Sequence, residues 1–428
     1  MDQQYPWSAK TVAKRLSDTK KRIASNDPEL KHLFTQTFFD DTDTQINQLQ
    51  NTATSYLCGA IVSVKDLFDV KGQVTKAGTT YMADDAPATA DATPIAQLRD
   101  AGAVLIGHTT MTELAYSGLG INPHYGTPDN ALMPGRIPGG STSGGAVSVA
   151  RHIADIALGT DTGGSLRIPA AYNGIVGFKP TQSTVSRRGC KTLSHSLDSV
   201  GPMARKTSKC ELAYRTIKNG IQATRKLDRT LVVPTNYGLD DMDTIVAREF
   251  EHAIATLISA GFNIEKRPIQ TLEELNSLAV WQIAAVEARS VHDDAYKTQA
   301  SAIDPRIYSR LSRADDVDAV SYRKTLNLRN ALTKAYRKEM KNQILLLPTV
   351  PIMPPMLTDL EASDDEYYKV NMQVLRNPSI ANILDGCSIS LPYSSANDTI
   401  GIMLTANALH DYALLDIAKS CEYAFSRL

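Results

Sequence analysis

Ile61-Val62-Ser63-Val64-Lys65 and Ala103-Val104-Leu105-Ile106-Gly107 are short apolar runs rich in β-branched residues, and Thr93 to Ala101 between them is spaced like a helix. Strand, helix, strand in that order predicts a buried, largely parallel sheet. The same texture runs to about Arg205. It returns with Ile344-Leu345-Leu346-Leu347-Pro348-Thr349 and Ile389-Ser390-Leu391-Pro392, ahead of a final helix from about Asp411 to Phe425. Residues 206–342 between the two regions are charged and helical in pattern and read as an outer, cap-like layer. Because sheet-like regions flank that layer, their strands are expected to join one sheet. The predicted fold is therefore a single large α/β/α sandwich, with a mixed, largely parallel twisted central sheet covered by helices. Residues 1–57 carry spaced apolar positions (Val12, Leu16, Ile23, Leu30, Phe34, Ile46, Leu49) and read as a helical segment packing on a main domain of residues 58–428.

A chain of 428 residues can bury a sizeable core. With 45 Lys+Arg against 46 Asp+Glu the formal charge is −1, so no basic field gathers a nucleic acid. The balance suits a small neutral or weakly charged partner and leaves a homodimer open. Five cysteines (Cys58, Cys190, Cys210, Cys387, Cys421) show no C-x-x-C spacing, and an odd number cannot complete a disulfide framework. The eight histidines show no metal-binding spacing, so no metal is expected. The N-terminus lacks the apolar run of a secretory signal, and no stretch of 18 apolar residues occurs. The expectation is a cytoplasmic protein that does not enter membranes; Ser426-Arg427-Leu428 resembles a peroxisomal address if the source is eukaryotic.

Two glycine-dense segments carry the chemistry. Pro138-Gly139-Gly140-Ser141-Thr142-Ser143-Gly144-Gly145 runs into the apolar stretch Ala146 to Ala150. Such glycine density costs conformational entropy and points to a tight junction or a close ligand. Gly159-Thr160-Asp161-Thr162-Gly163-Gly164-Ser165-Leu166-Arg167 follows, again with two glycines leading into a serine. The N–H groups of Thr162, Gly163, Gly164 and Ser165 could converge on one point, as an oxyanion hole requires. Neither segment matches G-x-x-x-x-G-K-[ST], which argues against a phosphate cradle. A hydroxyl nucleophile needs a base, and neither segment holds a histidine. Lys65 can serve, because burial disfavours the charged form of an amine and Lys65 ends an apolar run.

Together these segments resemble the amidase signature family from about Gly59 to Phe425, and the 24-residue separation of Ser141 and Ser165 agrees with it. The resemblance implies that Lys65 is the basic lysine, Ser141 the bridging serine held on a cis peptide and Ser165 the acylated nucleophile. It implies an amidase acting on small linear amides, with ester, carbamate and urea-type bonds left open, an oxyanion hole at Thr162, Gly163, Gly164 and Ser165, small-molecule amide-like substrate and water as partners, and no cofactor. Asp161 and Arg167 fit the pattern as a pair shaping the nucleophile loop, alongside Gly139 and Gly140. Gly177-Phe178-Lys179-Pro180-Thr181 and Ser196-Leu197-Asp198 match as structural segments. Met111, Ala115, Tyr116 and Cys190 are candidates for lining the substrate pocket, with side chains from about Trp281 to Tyr308. Two rival readings are a glutaminase-type subunit of a tRNA-dependent amidotransferase and a non-catalytic binding protein of the same fold.

Overall fold

A computed structural model describes residues 7–25, 27–49, 55–221, 225–395 and 398–427. Its strands are β1 (Phe34–Thr37), β2 (Ile61–Lys65), β3 (Val104–Thr109), β4 (Ile156–Asp161), β5 (Val176–Lys179), β6 (Ser199–Ala204), β7 (Thr230–Pro234), β8 (Asn263–Arg267), β9 (Ile344–Pro348), β10 (Gly386–Ser394) and β11 (Thr399–Asn407). They form one sheet in the order β1-β3-β2-β4-β6-β5-β10-β11-β9-β7-β8. The mixed sheet between helices is as expected. Parallel pairing is confined to β3-β2-β4 and β9-β7-β8. Six neighbouring pairs are antiparallel, so the sheet is less parallel than the strand-helix-strand reading predicts. Residues 395–398 give one reason: so short a connection between β10 and β11 can join only an antiparallel pair.

Two further expectations change. Residues 1–57 are not wholly helical, because Phe34–Thr37 pairs with β3 as an edge strand. Nor are residues 206–342, which supply β7 and β8 at the opposite edge. Both edges are polar for a physical reason: β8, Asn263-Ile264-Glu265-Lys266-Arg267, has one partner and faces water, so its apolar signal is weak. Among the described residues no helix is long and apolar enough to cross a membrane. Leu428 of the C-terminal tripeptide lies outside the described residues.

Inner strands read as unbroken apolar runs because both faces are covered. Along β2, Val62 and Val64 enter one core while Ile61 enters the other; β4 divides the same way, with Ile156 and Leu158 against Ala157. Lys65 continues the Ile61 and Ser63 series, on the side where the helix Ser143–Ala150 lies: Ser63 Oγ and Ser148 Oγ are 2.9 Å apart. Because β3, β2 and β4 are parallel neighbours, their C-terminal ends share one edge of the sheet. That edge therefore carries the segment after Thr109, Lys65 and the loop after Asp161, which is where open α/β sheets bind ligands.

The helix Ser143–Ala150 is pinned by a three-way backbone junction. Leu33 O accepts from Thr110 N–H at 3.0 Å, and Thr110 O accepts from Gly144 N–H at 2.9 Å. A Cβ on Gly144 would stand 2.3 Å from Leu33 O. Gly144→Ala is therefore expected to destabilise the chain by roughly 1–3 kcal/mol. Thermal unfolding measures this, and an unchanged melting temperature would contradict the junction.

Candidate active site

Lys65 is fully buried and donates from Nζ to Ser141 Oγ at 2.7 Å and to Thr160 Oγ1 at 2.9 Å. Burial lowers its pKa to about 7, because an ammonium loses hydration in the interior; the nearby Cys190, Asp198 and Asp161 oppose the shift without cancelling it. Burial also pushes the Cys190 thiol well above its usual range, with Asp198 adding to the shift and Lys65 opposing it.

Ser141 follows a cis peptide bond from Gly140, as the resemblance implies. Its carbonyl accepts from Thr112 N–H at 3.1 Å. Gly139 has φ +71°, and a Cβ on Gly140 would stand 2.4 Å from Gly120 N, so these two glycines are needed for conformation and for close approach respectively.

Ser165, 3% exposed, lies in the turn between β4 and the helix Arg167–Tyr172. A fully buried ion pair builds that turn. Arg167 meets Asp161 through Nε to Oδ2 at 3.0 Å and Nη2 to Oδ1 at 2.9 Å. The same carboxylate accepts from Gly164 N–H at 2.9 Å and Leu166 N–H at 3.1 Å. Burial alone would raise the Asp161 pKa, but the charge and hydrogen bonds of Arg167 hold it below the usual carboxylate range. Arg167 is satisfied further by Pro378 O and by Asn382 Oδ1, at 2.7 and 2.8 Å. Asn382 Nδ2 in turn donates to Asp161 O at 2.8 Å.

This changes the expected oxyanion donors. Gly164 N–H is committed to Asp161 and is not available to a substrate. No hydrogen bond among the described residues engages the N–H of Thr162, Gly163 or Ser165. Gly164 instead contributes its backbone conformation, with φ +135°.

Met111, Ala115, Tyr116 and Cys190 fall into one apolar cluster with Leu193, Ile303, Ile307 and Leu311. The helices Val280–Thr298 and Pro305–Ser312 thus close over the segment that follows β3. The residues missed by sequence reasoning join this layer to the loop. Glu287 accepts from Ser194 Oγ, from Ser196 N–H at 2.9 Å and from Tyr322 OH at 2.9 Å. Asp198, expected to be merely structural, accepts from Ser194 N–H and from Thr162 Oγ1 at 2.6 Å. Arg310 is another such residue: its guanidinium stacks 4.4 Å above the Tyr116 ring, and its Nε is buried without a partner. Thr160, Asn382 and Glu287 carry no local signal, because their partners lie on other elements.

The lysine has a cost to the fold. Unfolded, it titrates near 10.5; folded, near 7. Between those values the unfolded chain binds more protons, so this group's contribution to stability rises with pH through that window, and below about 7 the full penalty, on the order of 5 kcal/mol, is present. Lys65→Met is therefore expected to melt at or above the wild-type temperature at pH 7, with the difference shrinking towards pH 10. A melting temperature several degrees lower at pH 7 would contradict the burial penalty.

Comparisons with known proteins place the whole chain. The amidase family model matches residues 15–415. The 2-amino-5-chloromuconic acid deaminase of Comamonas testosteroni is 33% identical, over 89% of this chain and 84% of that protein. A glutamyl-tRNA(Gln) amidotransferase subunit of Sulfolobus acidocaldarius is 28% identical, over 86% of this chain and 85% of its own length. A solved structure of the allophanate hydrolase of Kluyveromyces lactis superposes with a TM-score of 0.88 at 26% identity, covering 99% of this chain and 74% of that one. With a family match across almost its whole length and a relative above 30% identity, the chain belongs to the amidase family and hydrolyses carbon–nitrogen bonds other than peptide bonds.

Proposed function

We propose that this chain cleaves a small-molecule amide by acyl transfer, with Ser165 as nucleophile, Ser141 as proton bridge and Lys65 as base. The observation that carries the reading is the 2.7 Å contact between Ser141 Oγ and a fully buried lysine whose pKa is lowered to about 7. A neutral Nζ takes the proton of Ser141, and Ser141 takes that of Ser165. Ser165 Oγ then bonds to the carbonyl carbon, and the electron pair of the C=O bond moves to oxygen, where the N–H groups of Thr162, Gly163 and Ser165 donate to it. Ser141 protonates the departing nitrogen, the C–N bond breaks, and ammonia or an amine leaves. Water enters by the reverse relay and releases the acid.

The substrate we favour bears a carboxylate near the amide. Arg310 lies over the Tyr116 ring and interacts with that residue, its buried Nε keeps no hydrogen-bond partner, and one relative is named 2-amino-5-chloromuconic acid deaminase. The amidotransferase relative keeps a second reading alive, in which the chain hydrolyses glutamine as part of a larger assembly. Full hydrolase turnover by the purified chain alone would exclude it.

Intact-protein mass spectrometry after treatment with a serine-acylating probe tests the relay. A single adduct is expected on Ser165, absent in Ser165→Ala and slowed by orders of magnitude in Lys65→Ala; an adduct that survives Ser165→Ala overturns the assignment. Arg310→Gln is expected to raise KM for acid-bearing amides by roughly tenfold or more, since a charged hydrogen bond is lost. KM for a neutral analogue should stay unchanged, and equal effects on both would remove the carboxylate.

A further inference from the structure

A second polar cavity, of about 380 Å³, opens where the end of β11, the C-terminus of the helix Ala319–Met340 and the start of the helix Asp411–Phe425 meet. Arg225, Lys226, Arg337 and Lys341 line it, together with Asn342, Asn407 and His410. Arg337 is paired with Asp385 at 2.6 Å. No ion pair among the described residues engages Arg225, Lys226 or Lys341, so the cavity carries uncompensated positive charge. Asp228 is the nearby acidic residue in sequence, and only its backbone N–H is engaged there, donating to Asn342 O at 2.9 Å.

The floor of the cavity has a different character. His410 and Asn407 are 3% and 4% exposed, yet His410 Nε2 and Asn407 Oδ1 have no hydrogen-bond partner. Their partners elsewhere fix what these two atoms are. His410 Nδ1 faces the carbonyls of Asn407 and Ala408, at 3.0 and 3.2 Å; a carbonyl only accepts, so Nδ1 bears the proton and Nε2 presents a lone pair in the neutral ring. Asn407 Nδ2 donates to Lys341 O at 2.9 Å and Arg337 O at 3.4 Å, which sets the amide orientation and leaves Oδ1 as an acceptor. A buried acceptor left without a donor is costly to the fold, so both atoms call for a donor from a ligand. The cavity therefore pairs cationic walls with a floor of two acceptors. A bare anion would satisfy the walls only.

We infer that this cavity binds a small phosphomonoester that carries its own hydroxyl groups, with the phosphate among Arg225, Lys226 and Lys341 and the hydroxyls donating to His410 Nε2 and Asn407 Oδ1. A phosphomonoester near neutral pH bears close to two negative charges, which suits three unpaired cations better than a single carboxylate does. The site is separate from the hydrolytic one: β11 is the fourth strand from β4 along the sheet, roughly 19 Å at about 4.8 Å per strand. Neither Ser165 nor Lys65 takes part.

Isothermal titration of the full chain with ribose 5-phosphate, and separately with inorganic phosphate at matched ionic strength, tests this. The expected result is one saturable site for ribose 5-phosphate, at least about tenfold tighter than phosphate because of the two buried acceptors. Lys226→Glu and Lys341→Glu, both at exposed positions, should each weaken it by about tenfold or more while amide hydrolysis continues at the wild-type rate. Three outcomes overturn the inference: no binding at millimolar ligand, phosphate binding as tightly as the sugar phosphate, or binding that survives both reversals. Competition between ribose 5-phosphate and an amide substrate would overturn it too, by moving the ligand to the hydrolytic site.

Discussion

The site depends on keeping an amine in a place where its ammonium form is poorly solvated. Lys65 ends a strand that is buried along its whole length, and it reaches two hydroxyls rather than a carboxylate. Had Asp161 or Asp198 been its direct partner, the charged form would be stabilised and the amine could not act as the proposed base. Each carboxylate is instead claimed by something else: Asp161 by Arg167 and two backbone N–H groups, Asp198 by Thr162, Leu193 and Ser194. The local arrangement of acids thus serves the lysine by being occupied elsewhere.

The same commitments shape the loop that bears Ser165. Asp161 holds both the Gly164 N–H and the Arg167 side chain, and Arg167 continues to Pro378 O and Asn382, so the turn bearing Ser165 is fixed from the far part of the chain. Arg329 reaches the carbonyls of Asn382 and Ser196 from the helix Ala319–Met340. Glu287 and Asp198 make a second tie, from the covering helices to Thr162. The layer that encloses the apolar cluster therefore also positions the backbone that would meet the developing negative charge.

Much of this is legible in the sequence, and for identifiable reasons. Glycines are conspicuous where backbone must approach backbone, so Gly139-Gly140-Ser141 and Gly163-Gly164-Ser165 can be found by composition, and a lysine closing an apolar strand is unusual enough to single out Lys65. The central strands show through runs such as Ile344 to Leu347. Edge strands do not: Phe34–Thr37 and Asn263–Arg267 are half polar because one side of each lacks a partner strand. β7 is hidden within a charged helical stretch, although Leu231-Val232-Val233 has the texture of a buried strand. Thr160, Asn382 and Glu287 act across elements far apart in the chain, and a pattern read along the chain has no access to that. Gly164 shows the limit of a motif: the loop pattern suggests a donor, but the carboxylate three residues earlier accepts its N–H.

The most direct test of a neutral buried base is to titrate it. Nuclear magnetic resonance of the chain labelled with [ε-¹³C]lysine, with Lys65→Met to assign the signal, follows the protonation of each amine separately. The account predicts a lysine signal titrating near pH 7 that is missing from Lys65→Met, the variant separating it from the buried Lys179, which burial also lowers. If every lysine signal, including the one lost in the variant, titrates above pH 9, Lys65 is charged at neutral pH and the proposed relay is wrong.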